Sequence, residues 1–451
     1  MSGDWIVGGA LRDELLGRAV RDVDIAVAGD PERAAREAAA KLRGPVFQLS
    51  EAFGAWRVID RHGGRVFDFS ALQGSTIEED LAQRDFTVNA MARPREGGDL
   101  IDPFGGRGDL EARTLRVLGA QAYERDPLRA LRLVRLAAEL SFTSDPETER
   151  LTRAAAARVP EAAGERVFAE LRRLVISDGV IEGMVLADRL GVLASVLPEL
   201  SALHSVEQSH YHHLDVYDHT LEVLAQLIEL ERDVPPRLRP VLDEPLADEL
   251  TRGQALRFGA LLHDIGKPPT REVREDGRVT FMRHDRIGEE MVRSVGRRLR
   301  TSERLSRFVE ALTRHHLVLG FLVHERPLDR RQVYRYLART SPVEVEVTLL
   351  SCADRLATGG RNAERATEAH LELARELMEA ALDWREHGPP RLPLRGDELA
   401  AELGITPGPE LGRLLGELEE AAYAGEAGTR AEAVELARRL RSESADSSGR
   451  S

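Results

Sequence analysis

Asp22 and Asp24 stand two residues apart in the segment Arg21-Asp22-Val23-Asp24-Ile25. Apolar residues alternate with polar ones there, so the segment reads as a strand and both carboxylates point to one face. Two such neighbours repel each other unless a divalent cation neutralises them, and Mg²⁺ favours all-oxygen ligation. Gly8-Gly9-Ala10-Leu11-Arg12-Asp13 precedes them. Gly8 and Gly9 let backbone N–H groups approach a triphosphate closely. Metals held this way could activate a hydroxyl and stabilise a pyrophosphate leaving group. Taken alone, an Asp-x-Asp is more often a solvated strand end; the glycine turn ten or so residues earlier makes it more specific.

A second set of chemistry-bearing residues lies far downstream. The chain has 13 histidines, most of them between residues 204 and 324. The ordered set is His219, His263-Asp264, His284, His315-His316 and Asp354. Imidazole and carboxylate suit borderline divalent ions such as Mn²⁺, Fe²⁺, Co²⁺, Ni²⁺ or Zn²⁺. Facing helices can aim such ligands into a common interior, where a metal-bound water attacks a phosphate ester. A lone histidine on an amphipathic helix is more often structural, so the weight falls on the His263-Asp264-Ile265-Gly266-Lys267 run.

These residues need elements to position them. Alternation around Val23 and Ile25 predicts a strand over the 20–29 stretch, and Val46–Leu49, Ala55–Asp60 and Arg65–Ser70 read as further strands, with a hairpin turn at 62–64; residues 5–8 are a short apolar run before the glycine pair. Residues 31–43 read as a helix. From about residue 120 the pattern turns helical, with Leu128, Leu131, Val134, Leu136 and Leu140 at helix-like spacing. Residues 231–252, rich in prolines and acids, read as a loop insert, and the Ser-rich end from Ser442 reads as disordered. Arg125, Arg129, Arg132 and Arg135 would form one basic helical stripe, or merely a solvated charged face.

Composition bounds the answer. At 451 residues the chain should hold two or three domains. Cys352 is the only cysteine, which excludes intramolecular disulfides and thiolate metal clusters. There is no long apolar run for a membrane span and no basic leader at the start, so a cytoplasmic protein without membrane association is expected. The net charge of −14 argues against whole-molecule attraction to nucleic acid, so an RNA ligand would need a local basic surface.

Further blocks follow the first carboxylates in order: Arg84-Asp85-Phe86-Thr87-Val88-Asn89-Ala90, Asp102-Pro103-Phe104-Gly105-Gly106, and Asp126-Pro127-Leu128-Arg129-Ala130-Leu131-Arg132. This succession resembles the class II tRNA nucleotidyltransferase and poly(A) polymerase family over roughly residues 5–200. The histidine–aspartate series resembles the HD phosphohydrolase signature. The resemblance implies an α+β chain. A polymerase-β-like head with a mixed sheet and helices (1–118) precedes an all-α neck (119–203). An all-α HD domain (204–375) and a helical tail (376–451) complete it.

The resemblance also implies roles. Asp22 and Asp24 would bind the catalytic Mg²⁺ ions, and Asp68 would be a third acid beside them or simply a polar strand residue. Gly8, Gly9, Arg12, Arg84, Asp85, Asn89 and Arg132 would hold the incoming nucleotide. Asp126 and Arg129 would read its base as an amino-acid template, side by side on one helix. A guanidinium donates to a ring acceptor and a carboxylate accepts from an exocyclic amine, a pattern that cytosine and adenine share. In the second site His219, His263, Asp264 and Asp354 would form the metal core, with His284 and His315 adding a second ion. Lys267 would contact phosphate or serve as a helix C-terminal cation. Implied partners are the tRNA 3′ end, CTP and ATP, and no DNA. Three positions depart from the family: Arg125 replaces the usual Glu, Gln83 replaces an arginine, and the connector after Ser70 is short. That connector resembles members adding only two cytidines. Poly(A) addition, or a phosphohydrolase with an RNA-binding N-terminal half, are the alternatives.

Overall fold

The computed structural model describes residues 3–50, 54–207, 214–358 and 363–448; the adjacent histidines at 212 and 213, part of the histidine-dense region, lie outside them. The chain divides into two compact units, Met1–Pro198 and Glu199–Ser451.

The N-terminal unit is built on one six-stranded sheet. Its strands are β1 (Asp4–Val7), β2 (Asp22–Val27), β3 (Val46–Ser50), β4 (Ala55–Ile59), β5 (Val66–Ala71) and β6 (Ala92–Pro94). They lie in the order β3-β4-β5-β2-β1-β6, with β2 and β5 the parallel pair among antiparallel neighbours. Strand alternation sets what each face carries. Val23, Ile25 and Val27 of β2 pack with Ala34, Ala35, Ala38 and Ala39 of the helix Pro31–Leu42. Ala26, on the other face, packs with Ile77, Leu81 and Ala90. Asp22 and Asp24 share that second face by parity, which leaves them off the helix-covered side. The helix Pro31–Leu42 starts where Asp30 accepts from the Glu32 N–H and Pro31 pre-sets the first turn.

The helices that follow carry most of the periodic apolar stripe: Leu128, Leu131, Val134 and Leu136 are buried and Leu140 is half-buried. The basic stripe is not one helix face. A helix ends at Arg125 and the next spans Arg129–Leu140, with Asp126 extended between them at φ −149° and ψ 97°. Pro127 is the cause, because a residue before proline is pushed out of the helical region. Asp126 and Arg129 therefore sit at a junction rather than on consecutive turns of one helix. Arg135 is only 4% exposed and pairs with Glu170 and Glu139, so it offers nothing to a solvated or phosphate-binding stripe.

The second unit is helical. Helices Val216–Arg232, Arg252–Leu262, His284–Leu299, Glu303–His315 and Glu344–Leu356 pack around one interior. The stretch expected as a loop insert is ordered instead. It carries a short helix Arg239–Leu242 and a hairpin of Pro245–Ala247 with Leu250–Thr251. Leu238, Leu242, Leu246 and Leu250 are buried, and these anchors at every fourth position hold the segment down. Of the end expected as disordered, residues 442–448 continue the helix Arg430–Ser448, and 449–451 lie outside the described residues. It packs through Ala433, Val434, Leu436 and Ala437 onto Leu399, Leu414 and Leu418. Among the described residues no helix is long and apolar enough to cross a membrane.

Candidate functional site

In the N-terminal unit the parallel register of β2 with β5 sets Asp24 directly opposite Asp68. Asp22 lies one pleat back on the same face. The Asp68 carboxylate is gripped by Arg57, whose Nε and Nη2 each donate at 2.7 Å. Arg57 comes from β4 and carries no motif signal. Asp24 stands on the floor of a cleft holding about 240 Å³ of open space. Desolvation by the cleft walls raises the Asp24 pKa, Asp68 and Asp22 add to that, and Arg84 opposes it. Such a carboxylate among like charges is a position where a cation is favoured.

Gly8 forms the wall beside it. Its φ of +72° and ψ of −139° suit glycine alone. A Cβ there would lie 2.9 Å from Arg84 Nη1 and 3.5 Å from Asp24 Oδ2. Gly8→Ala is expected to cost roughly 1–3 kcal/mol of backbone strain and to displace Arg84. A lower thermal midpoint together with a raised KM for nucleotide checks this.

The cleft is lined by Gly8, Gly9, Asp24, Arg84, Asp85, Asn89, Arg129 and Arg132 of the expected residues, with Gln73, Asp80 and Gln83 in addition. Arg12, Asp22, Asp68 and Asp126 do not line it. Arg12 is buried behind the wall and donates to Asn89 Oδ1 at 2.8 Å. Asn89 in turn donates to Asp85 Oδ1, which also accepts from the Phe86 N–H. Arg132 Nη1 binds Asp85 Oδ2 at 3.2 Å. Burial alone would raise the Asp85 pKa, but Arg132, Asn89 and the Phe86 N–H hold it below the usual carboxylate range. Arg129 donates to Arg84 O and Gln83 O, both at 2.8 Å, and so fastens the cleft rim. Asp126 Oδ2 is held by Arg166 at 2.6 Å. The short connector folds onto the next helix: Gln73 N–H donates to Asp80, and Thr76 caps Ile77–Leu81.

In the second unit two ligand-type groups adjoin: His219, His263 and Asp354, then Asp264, His284 and His316. His219 Nε2 lies 3.0 Å from Asp354 Oδ1. Asp264 reaches His263 Nε2 at 3.2 Å, His284 Nε2 at 3.4 Å and Lys267 Nζ at 2.6 Å. The expected His315 is not in this set; His316 takes its place. Successive helical residues point about 100° apart, so 315 and 316 cannot share a target. His315 instead sits near Arg339 and Arg314; its burial and those cations lower its pKa to about 4.

Three imidazoles are oriented alike. His263, His284 and His316 place Nδ1 within 2.8 Å of the carbonyls of Ala260, Phe281 and Thr313. That fixes the tautomer and turns the Nε2 lone pairs inward, the arrangement of metal-ligating histidines. His263 Nε2 is buried, with the Asp264 carboxylate 3.2 Å away. These residues fit a pair of divalent ions. Burial and neighbouring His263 push His316 down to about 3, so it is neutral and able to ligate. Gly266 explains how His284 comes so near: a Cβ there would meet His284 O at 2.1 Å. A cavity of about 440 Å³ opens onto Asp264, His284, His316 and Asp354, with Lys267, Ser351, Arg355 and His370 among its other lining residues. His370 gave no sequence signal because it lies outside the ordered histidine–aspartate series, on a later helix, Ala363–His387.

Comparison with known proteins agrees with both halves. Residues 4–73 and 65–116 match the model described as Poly A polymerase head domain. Residues 141–203 match "Probable RNA and SrmB- binding site of polymerase A", and 216–359 match the HD domain. The chain is 39% identical to an A-adding tRNA nucleotidyltransferase of Deinococcus radiodurans, across 96% of this chain and 94% of that one. It is 37% identical to a CC-adding tRNA nucleotidyltransferase of Thermus thermophilus, across 95% and 91%. Among solved structures, a CCA-adding enzyme with ATP has a TM-score of 0.65 at 22% identity, covering 96% of this chain and 90% of that one, which supports the fold. With a curated relative this similar over nearly its whole length, the chain belongs to the tRNA nucleotidyltransferase family.

Proposed function

We propose that the N-terminal unit transfers nucleotides from CTP and ATP to the 3′ end of tRNA. The observation that carries this is the Asp24 carboxylate on the floor of a cleft walled by Gly8, with the Arg84 and Arg132 guanidiniums alongside. Asp22 and Asp24 would hold Mg²⁺, which supplies charge neutralisation for an attacking hydroxyl and a departing pyrophosphate. Asp68, fixed by Arg57, adds negative charge beside them. Gly8 and Gly9 admit the triphosphate, and Arg84 and Arg132 offset its charge. Arg129 holds the carbonyls of residues 83 and 84. For Asp126 and Arg129 to read a base, each has to leave its present partner.

The five-residue connector from Leu72 to Thr76 favours cytidine addition. A second reading, adenosine addition to a tRNA already ending in CC, is favoured by the 39% identity to an A-adding relative. The test offers labelled CTP and ATP to tRNAs ending before, within and after the CC. Cytidine alone supports the first reading, adenosine alone, on the CC-ended tRNA, the second, and cytidine followed by one adenosine supports transfer of both. Long adenosine runs, or no incorporation, overturn both.

For the HD region the reading is a metal-dependent phosphatase or phosphodiesterase. A transition ion of the Mn²⁺, Fe²⁺, Co²⁺, Ni²⁺ or Zn²⁺ type would generate the hydroxide nucleophile there. His219, His263 and Asp354 would hold one ion, and Asp264, His284 and His316 the other. Lys267 is placed to neutralise substrate phosphate.

A further inference from the structure

The Arg132 side chain lines the nucleotide cleft, yet half of what orients it lies outside. Its Nη1 binds Asp85, and its Nε binds Glu170 Oε1 at 3.1 Å. Glu170 sits on the helix Gly164–Ile176, is 8% exposed and is not part of the cleft lining. Its second oxygen, Oε2, receives Arg135 Nε at 2.5 Å. One buried carboxylate thus serves two guanidiniums, one oxygen each. Arg135 is tied in turn to Glu139, which also takes Arg173. The side-chain relay runs from Arg12 through Asn89, Asp85 and Arg132 to Glu170.

We propose that Glu170 is a positioning residue for nucleotide binding: it holds the Arg132 guanidinium at the angle at which that group meets the incoming nucleotide. The argument is one of charge and geometry. Asp85 alone fixes one edge of a planar fork and leaves rotation about that contact. A second carboxylate on Nε fixes the plane, as bidentate recognition requires. Because Arg135 draws on the other Glu170 oxygen, the carboxylate cannot follow Arg132 if Arg132 moves. An amide at 170 has one acceptor instead of two, so one arginine loses its partner. The inference rests on the cleft being the nucleotide site.

The test measures equilibrium binding of CTP and ATP to the full chain, with kcat as a second readout. Glu170→Gln is expected to weaken nucleotide binding about tenfold, the size of one lost charged hydrogen bond, and to leave kcat within about threefold. Arg132→Gln weakens binding by itself. Adding Glu170→Gln to it is expected to change nothing further, because both act through one contact. Where Glu170→Gln does not fold, Glu170→Asp keeps the charge but withdraws it by one methylene, and weaker nucleotide binding by that variant supports the assignment. Wild-type affinity in Glu170→Gln or in Glu170→Asp, or losses that multiply in the double variant, overturn it. A wild-type chain that binds neither nucleotide removes the cleft reading and this inference together; tight wild-type binding with an unaffected Glu170→Gln removes this inference alone.

Discussion

Asp24→Asn is expected to lower nucleotide addition by at least about 10³-fold, since a lost metal ligand forfeits several kcal/mol of transition-state stabilisation. Asparagine keeps the side-chain volume, so the sheet should survive. The sign of the pKa shift supports this. A carboxylate whose folded pKa is raised opposes folding once ionised, so its removal relieves a cost at neutral pH. The thermal midpoint of the metal-free variant is expected to equal or exceed that of the wild type. Labelled-nucleotide incorporation and a melting curve check the two halves. Incorporation within tenfold of wild type would remove Asp24 from the catalytic set.

Asp264→Asn is expected to abolish metal-dependent phosphate-ester hydrolysis while nucleotide addition persists. The two sites lie in separate compact units, and Asp264 contributes nothing to the cleft that holds Asp24. This variant should also be less stable. Asp264 is 2% exposed and its Oδ2 lies 2.6 Å from Lys267 Nζ. Burial works to raise its pKa, but His263 and Lys267 hold it well below the usual range. Removing one partner of such a buried pair costs roughly 3–5 kcal/mol. Hydrolysis of an aryl phosphate with added Mn²⁺, nucleotide incorporation and a melting curve separate these effects. Loss of both activities in a folded variant would refute the two-site arrangement.

Much of the N-terminal site was legible because its geometry is local. Asp22 and Asp24 share a face through the two-residue period of a strand, and a backbone turn at Gly8 requires a residue without Cβ. The HD run was legible by its resemblance to a signature, and the structure supplies the reason for its glycine, since the His284 backbone packs against Gly266. Other features were not. Asp126 and Arg129 read as helical neighbours until Pro127 is given its effect on the preceding residue. Arg135 reads as a surface cation, and only its 4% exposure shows otherwise. The stretch 231–252 looks loop-like by composition, but four spaced leucines order it.

The amino-acid order alone determined which residue types stand at strand or helix spacing, and hence the paired carboxylates, the glycine wall and the His-Asp signature. Tertiary structure decided the partners. His219 meets Asp354 across 135 residues, and Arg135 meets Glu170 across 35. It also chose His316 over His315, a difference of one position that turns a side chain by about 100° on a helix. Periodicity encodes the direction in which a side chain leaves its own element. What it meets there depends on which other elements pack opposite, and that is set by burial summed over the whole unit rather than by any local pattern.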